Sequence, residues 1–432
     1  MSSLLFSITH VLARDSISND MMYKRLAIGI SISAILISVF KLHLPNITSP
    51  IFLARLYSHL HIPCSMSSIP SNHPYHKELE IATLAVKRAS ILTKKLSDSI
   101  AATSKNGTQI KDDKSPVTVG DYAAQAIVNH ALQLNFPSDK IVGEEDSISL
   151  RDGSDEANKL NSRILQILED AQKETASLNN QLGDLKTIEE IHSSIDLGNY
   201  EGGPTGRFWA LDPIDGTKGF LRGDQFAVCL ALIEDGKVVL GVIGCPNLAE
   251  HIVSNEEQTG RIGGLFSAVH GLGSYYSPLF ESNEFVPLAK QQKLQMTEET
   301  SPSKLKVMEG VEKGHSAHST QSQIKRELGF DDSTVAKQTI NLDSQVKYCV
   351  LAKGQADIYL RLPINDTYRE KIWDHASGNI LIHESGGQVG DIRGSPLDFG
   401  KGRYLQSKGV IAANKKIFAT VIDAVEKVLS KQ

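Results

Sequence analysis

The chain has 432 residues, of which 41% are hydrophobic and 22% charged, and its formal net charge at pH 7 is −5. This composition is ordinary for a soluble globular protein and suits one large unit or two domains that share an interface. Because this mild net charge provides no broad positive field, we expect no nucleic-acid partner. The four cysteines are scattered without a C-x-x-C pair. They predict neither a disulfide framework nor a zinc site, which fits a reducing compartment.

The N-terminal extension, residues 1–75, differs from the rest of the chain and is kept out of the predicted fold. Its apolar and serine run, Leu26–Phe40, is flanked by basic residues but is shorter than the roughly 20 residues that span a membrane. Two interpretations stand side by side: a membrane anchor or targeting segment, and a translation start at Met66. We expect a cytoplasmic protein, with a membrane-anchored or organelle-targeted form if residues 1–65 are expressed.

Two helices are predicted first, because apolar residues recur at three- and four-residue steps. The first pattern consists of Leu79, Ala82, Val86, Ala89, Leu92 and Leu96, and the second of Ala124, Ile127, Val128, Ala131 and Leu134. Residues 149–199 are charged and amphipathic and predict helices on the rim.

The pattern then changes to β-strands. Phe226–Ile233 and Val238–Ile243 are predicted strands joined by a hairpin turn at residues 234–237, and a second turn follows at residues 270–273. Further strands are predicted at Tyr348–Ala352, Ala356–Leu362 and Gly409–Ala413, further helices at Thr320–Leu328, Trp373–Ser385 and Lys416–Leu429, and an exposed loop at residues 277–306. The mixture predicts an α+β protein with a domain junction near residues 245–260.

The string Asp212-Pro-Ile-Asp215-Gly-Thr217 follows an apolar strand. Proline cannot continue a ladder of hydrogen bonds, so the chain is expected to turn at Pro213. Two acids on a tight turn repel each other unless a cation neutralises them, and magnesium prefers such oxygen ligands, with the Ile214 carbonyl as one more. Gly216 and Thr217 would open a short helix whose N–H groups can hold a phosphate. The alternative is an acidic turn without a ligand.

Three other acidic sites carry their own structural alternatives. Glu144 lies in a Gly-Glu-Glu-Asp string at a strand end, where the alternative is a solvated charge run. Asp121 stands before an amphipathic helix, where the alternative is a capping box with Thr118 as N-cap. Asp374 begins a helix, where the dipole favours an acid regardless of function. His375 is interpreted as a packed residue rather than a ligand, since oxygen ligands indicate magnesium.

The order GEE, then DPIDGT, then WDHAxG resembles the inositol monophosphatase superfamily of magnesium-dependent, lithium-sensitive phosphatases. Finer matches resemble its fungal 3'(2'),5'-bisphosphate nucleotidase branch over about residues 75–430. These matches are SPVTVGDYAAQ from Ser115, GNYEGG from Gly198, DPIDGTKGFLR from Asp212, QFAVCLA from Gln225, VEKGH from Val311 and LDSQVKY from Leu342. The resemblance implies a layered α/β/α/β/α sandwich of two halves with the active site between them. An α+β half (76–250) would carry most metal ligands, and an α/β half (251–432) the last ligand and the nucleotide-binding residues.

The resemblance also implies the activity and its residues. The activity is removal of the 3'-phosphate from 3'-phosphoadenosine 5'-phosphate, and from phosphoadenylyl sulfate, in sulfate assimilation and salt tolerance, with sensitivity to lithium and sodium. Two or three Mg²⁺ ions would be held by Glu144, Asp212, the Ile214 carbonyl, Asp215 and Asp374. Asp121 and Thr217 would activate the attacking water. The substrate would contact Gly216, Thr217, His315, Ser344, Lys347, Arg361 and Asp374.

Two features depart from the resemblance: the N-terminal extension has no counterpart in the family core, and residues 329–339 form a long connection. A monomer acting on a small nucleotide is expected. The alternatives are another superfamily phosphatase acting on inositol phosphates or a sugar bisphosphate, a non-catalytic regulator that binds metal and nucleotide, and a membrane-anchored interaction protein.

Overall fold

The computed structural model describes residues 73–105, 115–311, 318–363, 365 and 367–431. They belong to one compact unit, Ser67–Gln432. The apolar run Leu26–Phe40, Met66 and His315 lie outside the described residues. Within the described ranges, no helix is both long and apolar enough to cross a membrane.

Helices and strands alternate along the described chain. The helices are α1 (His76–Lys105), α2 (Ser115–Asn135), α3 (Asp155–Glu174), α4 (Asn179–Leu182), α5 (Ile188–Asp196), α6 (Thr217–Arg222), α7 (His318–Glu327), α8 (Val335–Gln338), α9 (Val346–Ala352), α10 (Ala376–Glu384) and α11 (Phe418–Leu429). The strands are β1 (Lys140–Val142), β2 (Arg207–Asp215), β3 (Ala227–Glu234), β4 (Lys237–Ile252), β5 (Gln258–Val269), β6 (Gly273–Pro278), β7 (Gln292–Lys293), β8 (Val307–Glu309), β9 (Thr339–Asn341), β10 (Ile358–Arg361), β11 (Gly387–Gly390) and β12 (Val410–Asn414).

The described elements form five layers around two sheets. Helices α1 and α2 cover one face of a seven-stranded sheet of order β1-β2-β3-β4-β5-β6-β7. Helices α9 and α10 contact both this sheet and a five-stranded sheet of order β11-β12-β10-β8-β9. Helix α11 packs on the far side of the second sheet and against α7. The predicted α+β sandwich of alternating helical and sheet layers is therefore confirmed.

The sequence patterns explain most of the first sheet. The hairpin predicted at residues 234–237 joins β3 to β4, and its turn places Asp235 (φ 48°) and Gly236 (φ 74°) in the left-handed region that a two-residue hairpin loop requires. The predicted turn at residues 270–273 joins β5 to β6. Strand β4 passes through residue 250 and pairs with β5, so the first sheet continues to Lys293. The division into halves at residue 250 stays a prediction.

The sequence predicted a turn at Pro213, and this prediction is wrong for strand β2. The strand continues to Asp215, and its pairing with β3 shifts register between Asp212 and Asp215. A proline is tolerated inside a strand at such a bulge, where its missing N–H breaks no ladder hydrogen bond. The chain turns at Gly216 instead, whose φ of 92° leads directly into α6.

Two other predictions of local structure are wrong. Tyr348–Ala352 is not a strand but the end of α9, every residue of which is buried; a short run that is apolar on all sides carries no period that separates helix from strand. Residues 277–306 are not simply an exposed loop, because they contain β7 and bury Leu279, Leu288, Leu294, Met296 and Leu305. In α2, Leu134 is 54% exposed although it follows the apolar pattern.

Candidate active site

A cavity of about 590 Å³ opens beside the carboxyl ends of β1 and β2. These two strands are parallel, so the acids that follow or end them lie at the same edge of the sheet. All the predicted site residues within the described ranges line this cavity: Asp121, Glu144, Asp212, Ile214, Asp215, Gly216, Thr217, Ser344, Lys347, Arg361 and Asp374. The predicted contact of His315 lies outside the described residues.

Seven carboxylates line the cavity: six come from four parts of the chain, and the seventh, Asp343, precedes α9 and pairs with Arg222. Asp121 comes from α2, Asp212 and Asp215 from β2, and Asp374 from the 3₁₀ turn before α10. The other two are Glu144 and Glu145, which follow β1. Helix α2 already begins at Ser115, so Thr118 is a helical residue and the capping-box alternative is wrong. The sequence did not single out Glu145 for a role, although it adjoins Glu144 in the quoted string.

Burial and mutual repulsion make these carboxylates hard to ionise without a cation. Burial, with the charges of Glu144, Asp215, Asp374 and Asp121, raises the pKa of Asp212 well above its usual range. Burial and Asp215 raise the pKa of Asp374 to about 7. For Asp215 burial also dominates, but Lys347 and a main-chain hydrogen bond limit its pKa to about 6. A cluster that resists ionisation alone is one that a bound cation would stabilise.

Glu145 and Asp121, at or near the loop after β1, are also hard to ionise without a cation. Burial, followed by the charge of Glu144, raises the pKa of Glu145 to about 7. Burial and the charges of Glu145 and Glu144 raise the pKa of Asp121 well above its usual range.

Two buried oxygen atoms test whether a metal fits. Asp212 is 2% exposed and Asp121 is 7% exposed, and Oδ1 of each has no hydrogen-bond partner. Buried polar atoms are rarely left without a partner, and such an atom indicates a missing ion or water. The donor set consists of carboxylates and a main-chain carbonyl, which suits Mg²⁺ rather than zinc or copper. The residues present therefore fit a magnesium site.

A second group of potential ligands adjoins this cluster. Within the described ranges, Glu370, Asp374 and His375 form a trio whose ligand atoms all lie within 4.8 Å of one another. His375 is already held through both ring nitrogens, by the Tyr348 hydroxyl at 2.8 Å and by Glu370 at 3.2 Å. Glu370 also accepts a hydrogen bond from Arg361 Nε at 2.7 Å. We therefore interpret Glu370 and His375 as a bonded network behind Asp374, with His375 as the packed residue that the sequence predicted.

This network sets the charge of Glu370. Burial alone would raise its pKa, but the hydrogen bond from His375 and the charges of His375 and Arg361 outweigh burial and lower the pKa to about 2. Glu370 is thus ionised across the physiological range and pairs with Arg361.

The basic side chains of the cavity already have partners. Lys347 donates to the Leu342 and Ser344 carbonyls at 3.1 and 2.7 Å, and burial lowers its pKa to about 8. Lys371 Nζ lies 2.6 Å from Glu144 Oε1, a pair that the sequence did not predict. The only signal for Lys371 was its place in the string before Asp374.

The loop that carries Glu144 is fixed from two directions. The side-chain amide of Gln125 donates to the Glu145 carbonyl at 2.6 Å and accepts from the Glu145 N–H at 3.0 Å. Arg403 donates to the carbonyls of Gly143, Gly198 and Tyr200, the last at 3.0 Å. The strings GDYAAQ and GNYEGG, singled out in the sequence, therefore meet behind Glu144.

Gly216 and Ser344 approach each other across the cavity wall. A Cβ added at Gly216 would lie 3.0 Å from Ser344 Cβ, and Gly216 has a φ of 92°. Ser344 itself has a φ of 63°, an uncommon conformation for a residue other than glycine that is found preferentially at functional sites.

Fold and acidic cavity together define a class of protein: the chain belongs to the inositol monophosphatase family, whose sequence profile matches residues 76–430. The chain is 69% identical over 358 residues to 3'(2'),5'-bisphosphate nucleotidase 2 of Candida albicans, covering 83% of this chain and 99% of that protein. It is 47% identical to the 3'(2'),5'-bisphosphate nucleotidase of Emericella nidulans, covering 82% and 99%. It is 41% identical to 3'(2'),5'-bisphosphate nucleotidase 1 of Arabidopsis thaliana, covering 83% and 98%. The resemblance inferred from the sequence motifs is confirmed.

Proposed function

We propose that the protein is a magnesium-dependent 3'(2'),5'-bisphosphate nucleotidase. It hydrolyses the 3'-phosphate of 3'-phosphoadenosine 5'-phosphate to give AMP and phosphate, and acts likewise on 3'-phosphoadenylyl sulfate. The observation that carries this proposal is one cavity lined by seven carboxylates, two with orphaned oxygens, together with the basic residues Lys347, Lys371 and Arg361. The relatives named above carry the same activity in their names.

Glu144, Asp212, the Ile214 carbonyl, Asp215 and Asp374 would hold two or three Mg²⁺ ions. When bound, the metal would neutralise phosphate charge and lower the pKa of a water molecule, which becomes the nucleophile. Lys371 at 2.6 Å from Glu144 limits the excess negative charge of the set before a metal enters.

Asp121 and Thr217 form the proposed catalytic pair. Both line the cavity, Asp121 from α2 and Thr217 at the first position of α6. The Thr217 hydroxyl would orient the attacking water and accept its proton, while Asp121 accepts the proton of that hydroxyl through its unpartnered Oδ1. Gly216 lets the main chain approach the phosphoryl group closely, since no side chain stands between.

The nucleotide would lie toward Ser344, Lys347 and Arg361, with His315 as a further predicted contact. Arg361 is held by Glu370 and by the Tyr368 hydroxyl at 3.3 Å, so its guanidinium is preorganised at the cavity wall. A guanidinium held in one plane recognises phosphate or ribose oxygens better than a mobile cation does. We further propose a cytoplasmic location, which the three buried free cysteines of the described ranges support.

Substrate preference tests the proposal. Phosphate release by the purified full chain with Mg²⁺ is compared among 3'-phosphoadenosine 5'-phosphate, inositol 1-phosphate and fructose 1,6-bisphosphate. A higher kcat/KM for the nucleotide is expected. Preference for inositol 1-phosphate or the sugar bisphosphate would refute the nucleotide assignment and leave the metal assignment standing. Inactivity on all three substrates, with magnesium still bound, would refute the enzymatic activity and favour the non-catalytic regulator.

A further inference from the structure

Gln345 lies in the cavity wall and joins the two ends of the acidic cluster. It is 2% exposed and precedes α9. Its main-chain N–H donates to Asp215 Oδ2. Its side-chain Nε2 donates to the Trp373 carbonyl at 2.8 Å, and its Oε1 accepts from Ser377 Oγ and the Gly378 N–H, both at 2.9 Å.

The side-chain bonds of Gln345 enclose Asp374. Trp373 precedes Asp374 in the chain, and Ser377 and Gly378 lie in the first turn of α10, which follows it. One carbonyl faces the amide nitrogen and two donors face the amide oxygen, so only one orientation of the amide satisfies all three groups. The same residue thus fixes the main chain on both sides of Asp374 and bonds directly to Asp215.

Asp215 and Asp374 both line the acidic cavity, and two ionised carboxylates there repel each other when no cation lies between them. Asp215 ends a strand of the first sheet, whereas Asp374 belongs to the segment that enters α10. Without a buried connection, repulsion would move the two carboxylates apart, and magnesium would have to draw them together again. Residues behind metal ligands are known to tune metal affinity in this way.

We propose that Gln345 is a positioning residue that sets the separation of the Asp215 and Asp374 carboxylates before magnesium binds. This inference rests on the proposed magnesium-dependent function. It assigns Gln345 no contact with substrate or metal. It predicts that loss of the three side-chain hydrogen bonds weakens magnesium binding as well as folding stability, whereas a purely structural role would lower folding stability alone.

Gln345→Met tests this role, because methionine has a similar length, keeps the main-chain bond to Asp215 and removes the three side-chain bonds. The matched control is Gln338→Met. Gln338 is 8% exposed, donates to the Pro302 and Leu305 carbonyls at 2.7 and 2.8 Å, and accepts from Thr334 Oγ1 at 3.0 Å. It is not among the residues that line the cavity. Both variants lose a comparable set of buried hydrogen bonds.

Magnesium binding to each full-length protein is measured by calorimetry without substrate, beside the thermal unfolding midpoint. We expect both variants to melt at lower temperature, and only Gln345→Met to bind Mg²⁺ roughly 10- to 100-fold more weakly. The Mg²⁺ concentration for half-maximal phosphate release should rise by the same factor, with kcat at saturating Mg²⁺ changed less. Ser377→Ala, which removes one of the three bonds, should weaken binding in the same direction by a smaller factor.

Unchanged magnesium affinity in both Gln345→Met and Ser377→Ala would overturn the role of Gln345, as would equal weakening in Gln338→Met. If Gln345→Met fails to fold, Ser377→Ala decides the question on the same criterion. Failure of the wild-type chain to bind magnesium would overturn the proposed function together with this inference, so the two failures are distinguishable.

Discussion

Replacing Asp374 by asparagine should stabilise the metal-free protein while it removes a proposed magnesium ligand. Burial and the charge of Asp215 raise the pKa of Asp374 from 3.8 to about 7. Between these two values the folded protein holds a proton that the unfolded chain has released, so wild-type stability falls as the pH rises through this window. One pKa unit corresponds to about 1.4 kcal/mol, so the charge costs up to about 4 kcal/mol above pH 7. Asparagine has a similar shape and avoids this cost.

The measurement is the free energy of unfolding in urea with EDTA at several pH values from 4 to 8. The gain of Asp374→Asn over wild type should be near zero at pH 4, grow with pH and level off above pH 7. Added Mg²⁺ should then stabilise the wild type more than the variant, which has lost one proposed ligand. Asp423→Asn, at an exposed position on α11, is the control and should show no gain at any pH. A variant less stable than wild type at pH 8 in EDTA, or a gain independent of pH, would refute this reasoning.

Three further predictions concern activity. Asp212→Asn should lower kcat on the order of a thousandfold, since a buried carboxylate proposed to hold magnesium is lost, and circular dichroism should show an intact fold; retention of much of wild-type kcat would contradict the ligand assignment. Arg361→Lys keeps the charge but cannot reproduce the bonds to Glu370 and Tyr368, so KM for the nucleotide should rise about tenfold with a smaller change in kcat, and an unchanged KM would remove Arg361 from the binding site. Lithium chloride should inhibit phosphate release with a potency that depends on Mg²⁺ concentration, whereas potassium chloride at the same concentration should not. Full activity in lithium chloride would count against a cation site open to a small monovalent ion.

The sequence predicted those site residues that lie in short continuous motifs. Glu144, Asp212, Asp215 and Asp374 each follow or precede a recognisable element, and all four reach the same cavity. Parallel pairing of β1 with β2, which brings Glu144 to the same sheet edge as Asp212, was not predicted from the sequence.

What the sequence could not predict are contacts made only by tertiary packing. Lys371 stands in the string before Asp374, but no local sequence pattern indicates that its ammonium group reaches Glu144. The two main-chain carbonyls that the Lys347 ammonium contacts were not predictable either, and its contact with the substrate stays a prediction. The helix α9 was mistaken for a strand because burial on all sides erases the period that distinguishes them.

Parallel pairing of β1 with β2 should make the acidic cavity a late product of folding. Residues 140–142 pair with 208–210, and the intervening crossover must be closed before Glu144 can meet Asp212. Contacts so distant in sequence form slowly, because the entropy of closing the loop is lost before the contacts compensate for it. A cation that binds only the assembled cavity stabilises the native state more than the transition state. Magnesium should therefore slow unfolding and leave the refolding rate after dilution from denaturant nearly unchanged.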